Sequence, residues 1–254
     1  MTRPRKDVQA ARDLLAQDLP IAEVARRLGI ARATVRDWAS KGFDDVIGSR
    51  RDDNEGPCEF CYYVRNLTET TYAYLLGLYL RDGYIATHPR GVYRLRIVQD
   101  NKYPKLIRVC AIAMKWVIPG KIGYVPKTGC TEISSYSKHW PCVFPQHGPG
   151  RKHEREIRLE PWQRWVAIER NPRSILRGLI HSDGSRFANR VNVQGEQYEY
   201  ARYMFTNVSG DIRRVFTDAC DRAGIEWRQS NAVTISVARR ASVAKMDRFI
   251  GPKS

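Results

Sequence analysis

The stretch LLGLYLRDG, residues 75–83, recurs later in the chain as LRGLIHSDG, residues 176–184. The two copies align without gaps, and every matched pair of residues differs by the same number, as 183 minus 82 gives 101 for Asp183 and Asp82. A gapless alignment at a fixed offset indicates an internal duplication. The sequence therefore predicts a fold built from two related halves.

The chain behind each copy follows a similar pattern of elements. Alternating apolar and polar residues predict strands, and apolar residues at helical spacing predict helices. In chain order the segments are β-like 92–98, helical 104–118 and β-like 132–136, then β-like 198–205, helical 211–223, β-like 232–237 and helical 242–250. We therefore expect the order αββαββα in each repeat, which makes the fold class α+β.

Each repeated helix carries glycine in its middle and aspartate at its end. Gly77 and Gly178 each follow a small residue four positions earlier, so one face of each helix is narrow enough for a close crossing. Asp82 and Asp183 hold the same position in the two copies, so a near two-fold crossing brings their carboxylates together. Because like charges repel at helix C-terminal ends, a divalent cation would stabilise the pair.

A glycine follows each aspartate. Gly83 and Gly184 are expected to adopt the left-handed conformation that ends a helix and turns the chain into a strand. A single Asp-Gly after a helix is more often an ordinary cap and turn. Its occurrence at matched positions behind two helices that can pack closely favours a functional site.

These segments resemble the two LAGLIDADG motifs of single-chain homing endonucleases. The resemblance covers about the last three quarters of the chain and implies a duplicated αββαββα LAGLIDADG endonuclease fold. It also implies site-specific cleavage of double-stranded DNA, one strand per active site, leaving short 3′ overhangs. Asp82 and Asp183 would be the catalytic residues, and together with Gly83 and Gly184 they would hold Mg²⁺ or Mn²⁺.

Two features depart from that pattern. The sixth motif position, acidic in the family name, is Leu80 in one copy and His181 in the other; this position is not the metal ligand, so activity is not excluded. The basic stretch 134–165 is expected to link the repeats and to contact the DNA backbone. Its histidines and cysteines could instead form a second metal site.

The N-terminal residues 1–44 are predicted to form a small all-α domain of three short helices. The segment 21–40, IAEVARRLGIARATVRDWAS, resembles the helix-turn-helix of resolvases and transposases, with Pro20 before its first helix and Gly29 in the turn. The resemblance implies that the third helix enters the major groove. The DNA-contacting side chains would be Arg32, Thr34, Arg36 and Lys41. The alternative is a helical bundle with a solvated arginine face.

The remaining boundaries follow from composition and from the repeat. Residues 45–67 are interpreted as a linker, 68–167 as the first repeat and 168–254 as the second. The linker contains Cys58 and Cys61, which are either ordinary thiols or half of a structural Zn²⁺ site. The other half would come from among Cys130, His139, Cys142, His147 and His153.

Charge points to a polyanionic partner. Lys plus Arg number 43 and Asp plus Glu number 27, which gives a formal net charge of +16 and favours double-stranded DNA. No apolar run approaches the roughly 20 residues that span a bilayer, and no signal peptide is evident, so we expect no membrane association and a cytoplasmic, nucleoid-associated protein. The six cysteines do not suggest a disulfide framework. A monomer with internal pseudo-two-fold symmetry is expected.

Basic residues outside the N-terminal domain supply further candidates. On the strands, the candidates for phosphate or guanine contacts are Arg94, Arg96, Arg190, Arg202 and Arg228. The candidates for assisting catalysis, which would serve equally as phosphate contacts, are Lys138, Lys152, Arg239, Arg240 and Lys245. The alternative function is a transcription regulator that binds DNA with this fold and does not cut. The carboxylate pair favours cleavage, since a pure binder has no reason to keep it.

Overall fold

The computed structural model describes residues 5–48, 69–193 and 195–253. The chain divides into two compact units, one built on helices near the N-terminus and one on the two repeats. Cys58 and Cys61 lie outside the described residues, so the zinc hypothesis stays a prediction.

The described part of the N-terminal unit, residues 5–48, contains four helices, where three were predicted. They are α1 (Arg5–Leu15), α2 (Ile21–Leu28), α3 (Arg32–Lys41) and α4 (Phe43–Gly48). Gly29 ends α2 in the left-handed conformation, with φ of 61°. The fourth helix occupies residues that the sequence assigned to the linker, and this assignment was wrong because Val46 and Ile47 are buried in the core of the unit. The helical unit therefore extends to Gly48.

The repeats contain the same elements in the same order. The first consists of α5 (Glu69–Asp82), β1 (Gly83–His88), β2 (Val92–Asp100), α6 (Pro104–Val117), β3 (Ile122–Lys127), β4 (Cys130–Ser137) and α7 (Trp140–Val143). The helix α8 (Pro161–Arg164) and a π-helical turn (Trp165–Arg170) connect to the second. The second consists of α9 (Pro172–Asp183), β5 (Gly184–Val193), β6 (Glu196–Thr206), α10 (Gly210–Arg222), β7 (Arg228–Asn231), β8 (Thr234–Val237) and α11 (Arg240–Ile250).

Each repeat forms one four-stranded antiparallel sheet. The strand orders are β1-β2-β4-β3 and β5-β6-β8-β7, which are equivalent positions in the two repeats. On β2, Leu95 and Ile97 are buried in the core while Arg94 and Arg96 lie on the opposite face. The predicted fold class, α+β with a duplicated αββαββα unit, is confirmed.

The core of this unit is shared by the helices and the inner faces of both sheets. Residues 134–165, expected to be a linker on the DNA backbone, contribute to it, because Trp140 and Phe144 are fully buried. The Phe144 ring lies 4.3 Å from the Tyr79 ring on α5. The expectation of a linker was therefore incomplete, because the aromatic residues of this stretch pack in the core. No helix in the described part of the chain is long and apolar enough to cross a membrane.

Candidate active centre at the helix crossing

The two repeated helices cross with almost no space between their backbones. A Cβ added to Gly77 would lie 2.7 Å from the carbonyl oxygen of Ile175, and one added to Gly178 would overlap the carbonyl oxygen of Tyr74. Any larger side chain would force the helices apart. Glycine at these positions is what allows α5 and α9 to meet and brings their C-terminal ends together.

The glycines after the aspartates have a different role from the one predicted. Gly184 is extended, with φ of −87°, and Gly83 is not among the residues with positive φ, so the expected left-handed caps are wrong. A Cβ at Gly83 would lie 2.7 Å from Cα of Tyr79, and one at Gly184 would lie 2.6 Å from Cα of Ile180. Each glycine is required because the chain folds back against the helix that it leaves.

The two carboxylates approach one guanidinium group. Arg81 Nη1 lies 2.6 Å from Asp183 Oδ1, and Arg81 Nε lies 3.6 Å from Asp82 Oδ1. The Asp183 side chain is 7% exposed and the Asp82 side chain 25%, whereas Arg81 is half exposed. The aspartates are therefore neighbours, as predicted, and Arg81 supplies positive charge between them.

Burial makes ionisation of both aspartates unfavourable. Burial first, and the nearby Asp183 carboxylate second, raise the pKa of Asp82 to about 6, against the opposing effect of Arg81. The pKa of Asp183 is also raised, by burial first, although Arg81 and a hydrogen bond from Asn207 act in the other direction. Added positive charge would therefore stabilise these two carboxylates, which repel each other and are shielded from water.

Two lysines reach the same helix ends, one from each repeat. Lys152 Nζ donates to the carbonyl oxygens of Gly83, at 2.5 Å, and of Tyr79. Lys253 Nζ donates to the carbonyl oxygen of Gly184 at 2.6 Å. The two lysines are separated by 253 minus 152, or 101 residues, which is the offset of the motifs themselves. Because each donates to the carbonyl oxygen of the glycine after a motif aspartate, the two lysines occupy matching places in the two repeats.

The environment of these lysines weakens their charge. Burial lowers the pKa of Lys152 to about 7, while Asp82 opposes the change. Burial also lowers the pKa of Lys253, again opposed by Asp82 and Asp183. Lys152 lies over the Tyr79 ring, 4.2 Å from its centroid. Near neutral pH, the Lys152 amine can therefore exchange a proton beside the carboxylates.

Asn207 and Lys253 belong to the site and were not among the sequence candidates. Asn207 Nδ2 donates to Asp183 Oδ2 at 2.7 Å, and its own side-chain oxygen accepts from the backbone N–H of Ser209. This amide is fixed in orientation at the step from β6 to α10. The repeat offset applied to Lys152 would have identified Lys253, but no sequence pattern identified the contact of Asn207.

The residues at the sixth motif position are structural. Leu80 is buried in the core. His181 is buried as well, 3.0 Å from the hydroxyl of Tyr74 and 2.9 Å from the carbonyl oxygen of Ile250. Burial lowers the His181 pKa to about 4. A neutral ring that accepts from Tyr74 and donates to Ile250 satisfies both contacts.

The predicted DNA-contacting residues are distributed over several surfaces. In the N-terminal unit Arg32, Arg36 and Lys41 are exposed and Thr34 is half-buried, with Lys41 paired to Asp37 at 2.9 Å. On the sheets, Arg94 and Arg96 share the face of the first sheet that is turned away from the core, and strand register places Arg202 and Arg228 on the corresponding face of the second. The register places Arg190 on the other face of β5.

Lys152 is the sequence candidate for catalysis whose amine lies at the end of α5, where it donates to backbone carbonyl oxygens. Arg239 pairs with Glu226 at 2.7 Å, and Lys245 Nζ donates to the carbonyl oxygen of Gly224. Arg240 lies over the Tyr200 ring, and Lys138 is exposed. Beside Lys152 a cleft of about 580 Å³ opens, lined by basic residues that include Arg81, Arg151 and Arg155.

The helix ends offer oxygen ligands of the kind that Mg²⁺ prefers. Mg²⁺ is commonly bound by one or two carboxylates with water and substrate phosphates, rather than by a complete cage of protein side chains. Asp82, Asp183 and the nearby carbonyl oxygens fit that description. In residues 5–48, 69–193 and 195–253, no cluster of three or more His, Cys, Asp or Glu side chains is placed to hold a metal. The histidines and cysteines of 134–165 therefore form no second centre among themselves.

Comparisons with known proteins give similarity at the level of solved structures. No family model matches the sequence, and neither does any curated protein. Mesophilic variants of the homing endonuclease I-DmoI are 14% identical, with a TM-score of 0.46 over 73% of this chain and 97% of that chain. The meganuclease I-SmaMI bound to uncleavable DNA is 10% identical, with a TM-score of 0.45 over 72% and 85%. Similarity this distant carries no argument about function, which rests on the residues of this chain.

Proposed function

We propose that the chain is a site-specific endonuclease of double-stranded DNA, dependent on Mg²⁺ or Mn²⁺, with one carboxylate from each repeat. The observation that carries the proposal is the pair Asp82 and Asp183, largely shielded from solvent together at the ends of two equivalent helices. Burying two like charges is unfavourable, so the arrangement calls for a compensating cation. A divalent cation, when bound, supplies positive charge to both attacking and leaving oxygens of a phosphodiester.

The residues of the site suit hydrolysis of a phosphodiester. Asp82 and Asp183 accept hydrogen bonds from a water and orient it towards phosphorus, with Asn207 fixing the carboxylate of Asp183. Lys152 and Lys253 lie beside them as the paired basic groups. In its neutral form Lys152 accepts a proton from the attacking water at Nζ, and in its charged form it stabilises the phosphate oxygens. Gly83 and Gly184 supply carbonyl oxygens as further candidates for metal contact.

A cation held by Asp183 would compete with Arg81 for this carboxylate. Arg81 Nη1 lies 2.6 Å from Asp183 Oδ1, beside the carboxylate that would hold the cation. Because the side chain is half exposed, it can rotate away from the carboxylate at little packing cost. The incoming phosphate offers a new partner for the guanidinium, since Arg binds phosphate oxygens through two parallel N–H groups. Substrate binding would then release the carboxylate.

The rest of the molecule provides the duplex surface. The net charge of +16 favours a polyanion. We assign base and phosphate contacts to the arginines on the outer faces of the two sheets, and flanking contacts to Arg32, Thr34, Arg36 and Lys41 of the N-terminal helices. The proposed substrate is therefore a long duplex site read by both repeats.

The second candidate is a transcription regulator that binds DNA without cutting it. One observation favours this alternative: the ion pair between Arg81 and Asp183 compensates a buried carboxylate without any metal. Under this alternative the carboxylates serve packing and electrostatics, so their replacement would weaken folding or binding and no strand would be cut.

Incubation of the protein with a library of randomised duplexes separates the two candidates. Retained duplexes and newly formed ends are sequenced in the presence of Mg²⁺ and again with a chelator. The proposal expects retention under both conditions and ends only with Mg²⁺. Asp82→Asn and Asp183→Asn should retain duplexes without cutting, while Asp218→Asn, whose ion pair with Arg164 lies outside the site, should cut normally. Retention by the unaltered protein without ends would support the regulator.

A further inference from the structure

The outer face of the first sheet contains one buried carboxylate among three basic side chains. Glu132 lies on β4 and is 4% exposed, although it faces away from the main core. Arg94 and Arg96 lie on the adjacent strand β2, and Lys127 lies on β3. On a surface suited to a polyanion, an acidic residue opposes binding, so its burial among cations calls for a specific explanation.

The contacts show that Glu132 joins the three cations. Arg94 Nη2 lies 2.7 Å from Glu132 Oε1, and Lys127 Nζ lies 2.8 Å from Oε2. Arg96 Nη1 is 3.9 Å from Oε2. Burial works against ionisation, but the hydrogen bond from Lys127 and the three positive charges outweigh it and lower the pKa of Glu132. The carboxylate is therefore ionised at neutral pH, holds Arg94 by a hydrogen bond and attracts Arg96 at ion-pair distance.

Each of these arginines is also held by an aromatic ring. Cζ of Arg94 lies 5.6 Å from the centroid of the Tyr136 ring, and Cζ of Arg96 lies 4.9 Å from that of Tyr84. Cation–π contact over a ring restricts the plane of a guanidinium. Both side chains remain partly exposed, at 25% and 33%. Nε of each arginine is buried, so the exposed part of each guanidinium lies on the outer face beside its ring.

Among the residues of the second sheet that the structure describes, the strand that matches β2 has no equivalent arrangement. Arg202 on β6 has Phe187 opposite it on β5 rather than a residue that could fix the guanidinium by an ion pair. The ion pair between Arg190 and Glu199 on that sheet joins two side chains that are 73% and 58% exposed. Exposed pairs of this kind hold their side chains weakly. The buried carboxylate is a feature of the first repeat.

We infer that Glu132 is a specificity-determining positioning residue, which fixes Arg94 and Arg96 as a pair of guanine-reading side chains in the half-site bound by the first repeat. The inference rests on the proposed function, because it takes double-stranded DNA as the ligand. An arginine held in one plane can donate two parallel hydrogen bonds to O6 and N7 of guanine in the major groove. An arginine free to rotate contacts phosphates equally well and selects less among bases.

The spacing of the two arginines sets the pattern that they read. Residues two apart on a strand are about 6.8 Å apart, and successive base pairs are about 3.4 Å apart. Guanines two base-pair steps apart therefore match Arg94 and Arg96. Lys127, the third cation around Glu132, is placed to contact a phosphate. The site thus pairs two base contacts with one backbone contact.

The test compares base preferences of variants in duplex selection from a randomised library, with a chelator present so that nothing is cut. The unaltered protein should enrich guanine at two positions two steps apart in one half-site. Glu132→Gln should reduce the preference at both positions by about tenfold without weakening total retention, because the variant gains one positive charge. Glu199→Gln is the matched control, because it removes the carboxylate from the ion pair with Arg190 on the second sheet. It should leave the guanine preference at both positions unchanged.

Conservative variants keep the inference testable if Glu132→Gln folds poorly. Arg94→Lys and Arg96→Lys retain the charge and lose the planar fork, so each should relax one of the two positions and leave the other. Unchanged preferences in Glu132→Gln, or in both lysine variants, would overturn the inference while duplex binding stands. An unaltered protein that retains no duplex would instead overturn the proposed function, and the inference with it.

Discussion

The two repeats agree in backbone geometry and differ in the partners of their aspartates. In both, the aspartate ends a helix, a glycine folds back on that helix, and a lysine 69 residues after the glycine, as 152 minus 83 and 253 minus 184, donates to its carbonyl oxygen. Asp183, however, is held by Arg81 at 2.6 Å and by Asn207 at 2.7 Å. Asp82 lies 3.6 Å from Arg81 and is the more exposed of the two.

The backbone features that the two repeats share are under a common structural constraint, whereas the side chains that differ are not. The glycines are required by the close helix crossing and by the fold-back of the chain at each helix end, so both copies need them. The lysine-to-carbonyl contacts are kept in both copies as well. The side chains around each carboxylate are free to diverge, because Arg81 in the first copy stands where the second has Ser182. We therefore expect the two halves of the site to share a chemistry and to differ in electrostatics. The following experiments test that expectation.

Replacement of the aspartates should give the largest effect and should be equal in the two halves. Asp82→Asn and Asp183→Asn each remove a charge that orients the attacking water, and each should slow strand cleavage by about a thousandfold. The measurement is single-turnover cleavage of both labelled strands of the selected duplex. Binding of the duplex, measured without divalent cation, should change less than threefold. Normal cleavage of both strands by either variant would contradict a shared centre.

Replacement of the lysines should give the next largest effect. Lys152→Met and Lys253→Met each remove one of the paired basic groups and should slow cleavage by about a hundredfold. Because the Lys152 pKa is about 7, the rate should rise with pH as its amine loses the proton, and the part of that rise near pH 7 should be absent in Lys152→Met.

The control is Lys245→Met, whose amine donates to the carbonyl oxygen of Gly224 away from the site. A pH profile of Lys152→Met that is identical in shape to that of the unaltered protein would exclude proton exchange at this lysine. The profile separates that role from simple packing, which would lower the rate at every pH equally.

Sequence reasoning predicted the parts of this site that depend on the repeat. Asp82 and Asp183 are neighbours because the offset of the motifs and the small residues of the helices dictate a close, nearly symmetric crossing. It failed at Gly83 and Gly184, because a glycine needed for close approach and one needed for positive φ look the same in a sequence. It also missed Asn207 and the buried Glu132, since the pairing of distant strands and side chains decides their contacts.

The cost of ionising Asp82 should appear in the stability of the protein without metal. A pKa raised from 3.8 to about 6 means that folding favours the protonated form, so stability is complete below about pH 4 and declines as pH rises through 6. Asp82→Asn removes this penalty and should raise the free energy of unfolding by about 3 kcal/mol at pH 8 and by little at pH 4. Denaturant unfolding at the two pH values measures the difference.

Asp183→Asn tests whether the free energy of unfolding responds in the same way in the second repeat. Asp183→Asn relieves burial of a charge but also disrupts the contacts with Arg81 and Asn207. Its increase in the free energy of unfolding at pH 8 should therefore be smaller than that of Asp82→Asn, or should become a decrease. Equal gains in the two variants would show that the extra partners of Asp183 contribute nothing to folding.

Removal of the guanidinium between the carboxylates should give the smallest effect. Because Arg81 competes with a cation for Asp183, Arg81→Ala should bind Mn²⁺ about tenfold more tightly in the absence of DNA, as one compensating charge is lost from the pair. Calorimetric titration of the free protein measures this directly and does not depend on cleavage. Arg177→Ala, which removes an exposed guanidinium over the Tyr74 ring earlier in α9, is the matched control and should leave the affinity unchanged. Weaker Mn²⁺ binding by Arg81→Ala would mean that the guanidinium organises the carboxylates for metal, and the asymmetry between the halves would then lie in Asn207 alone.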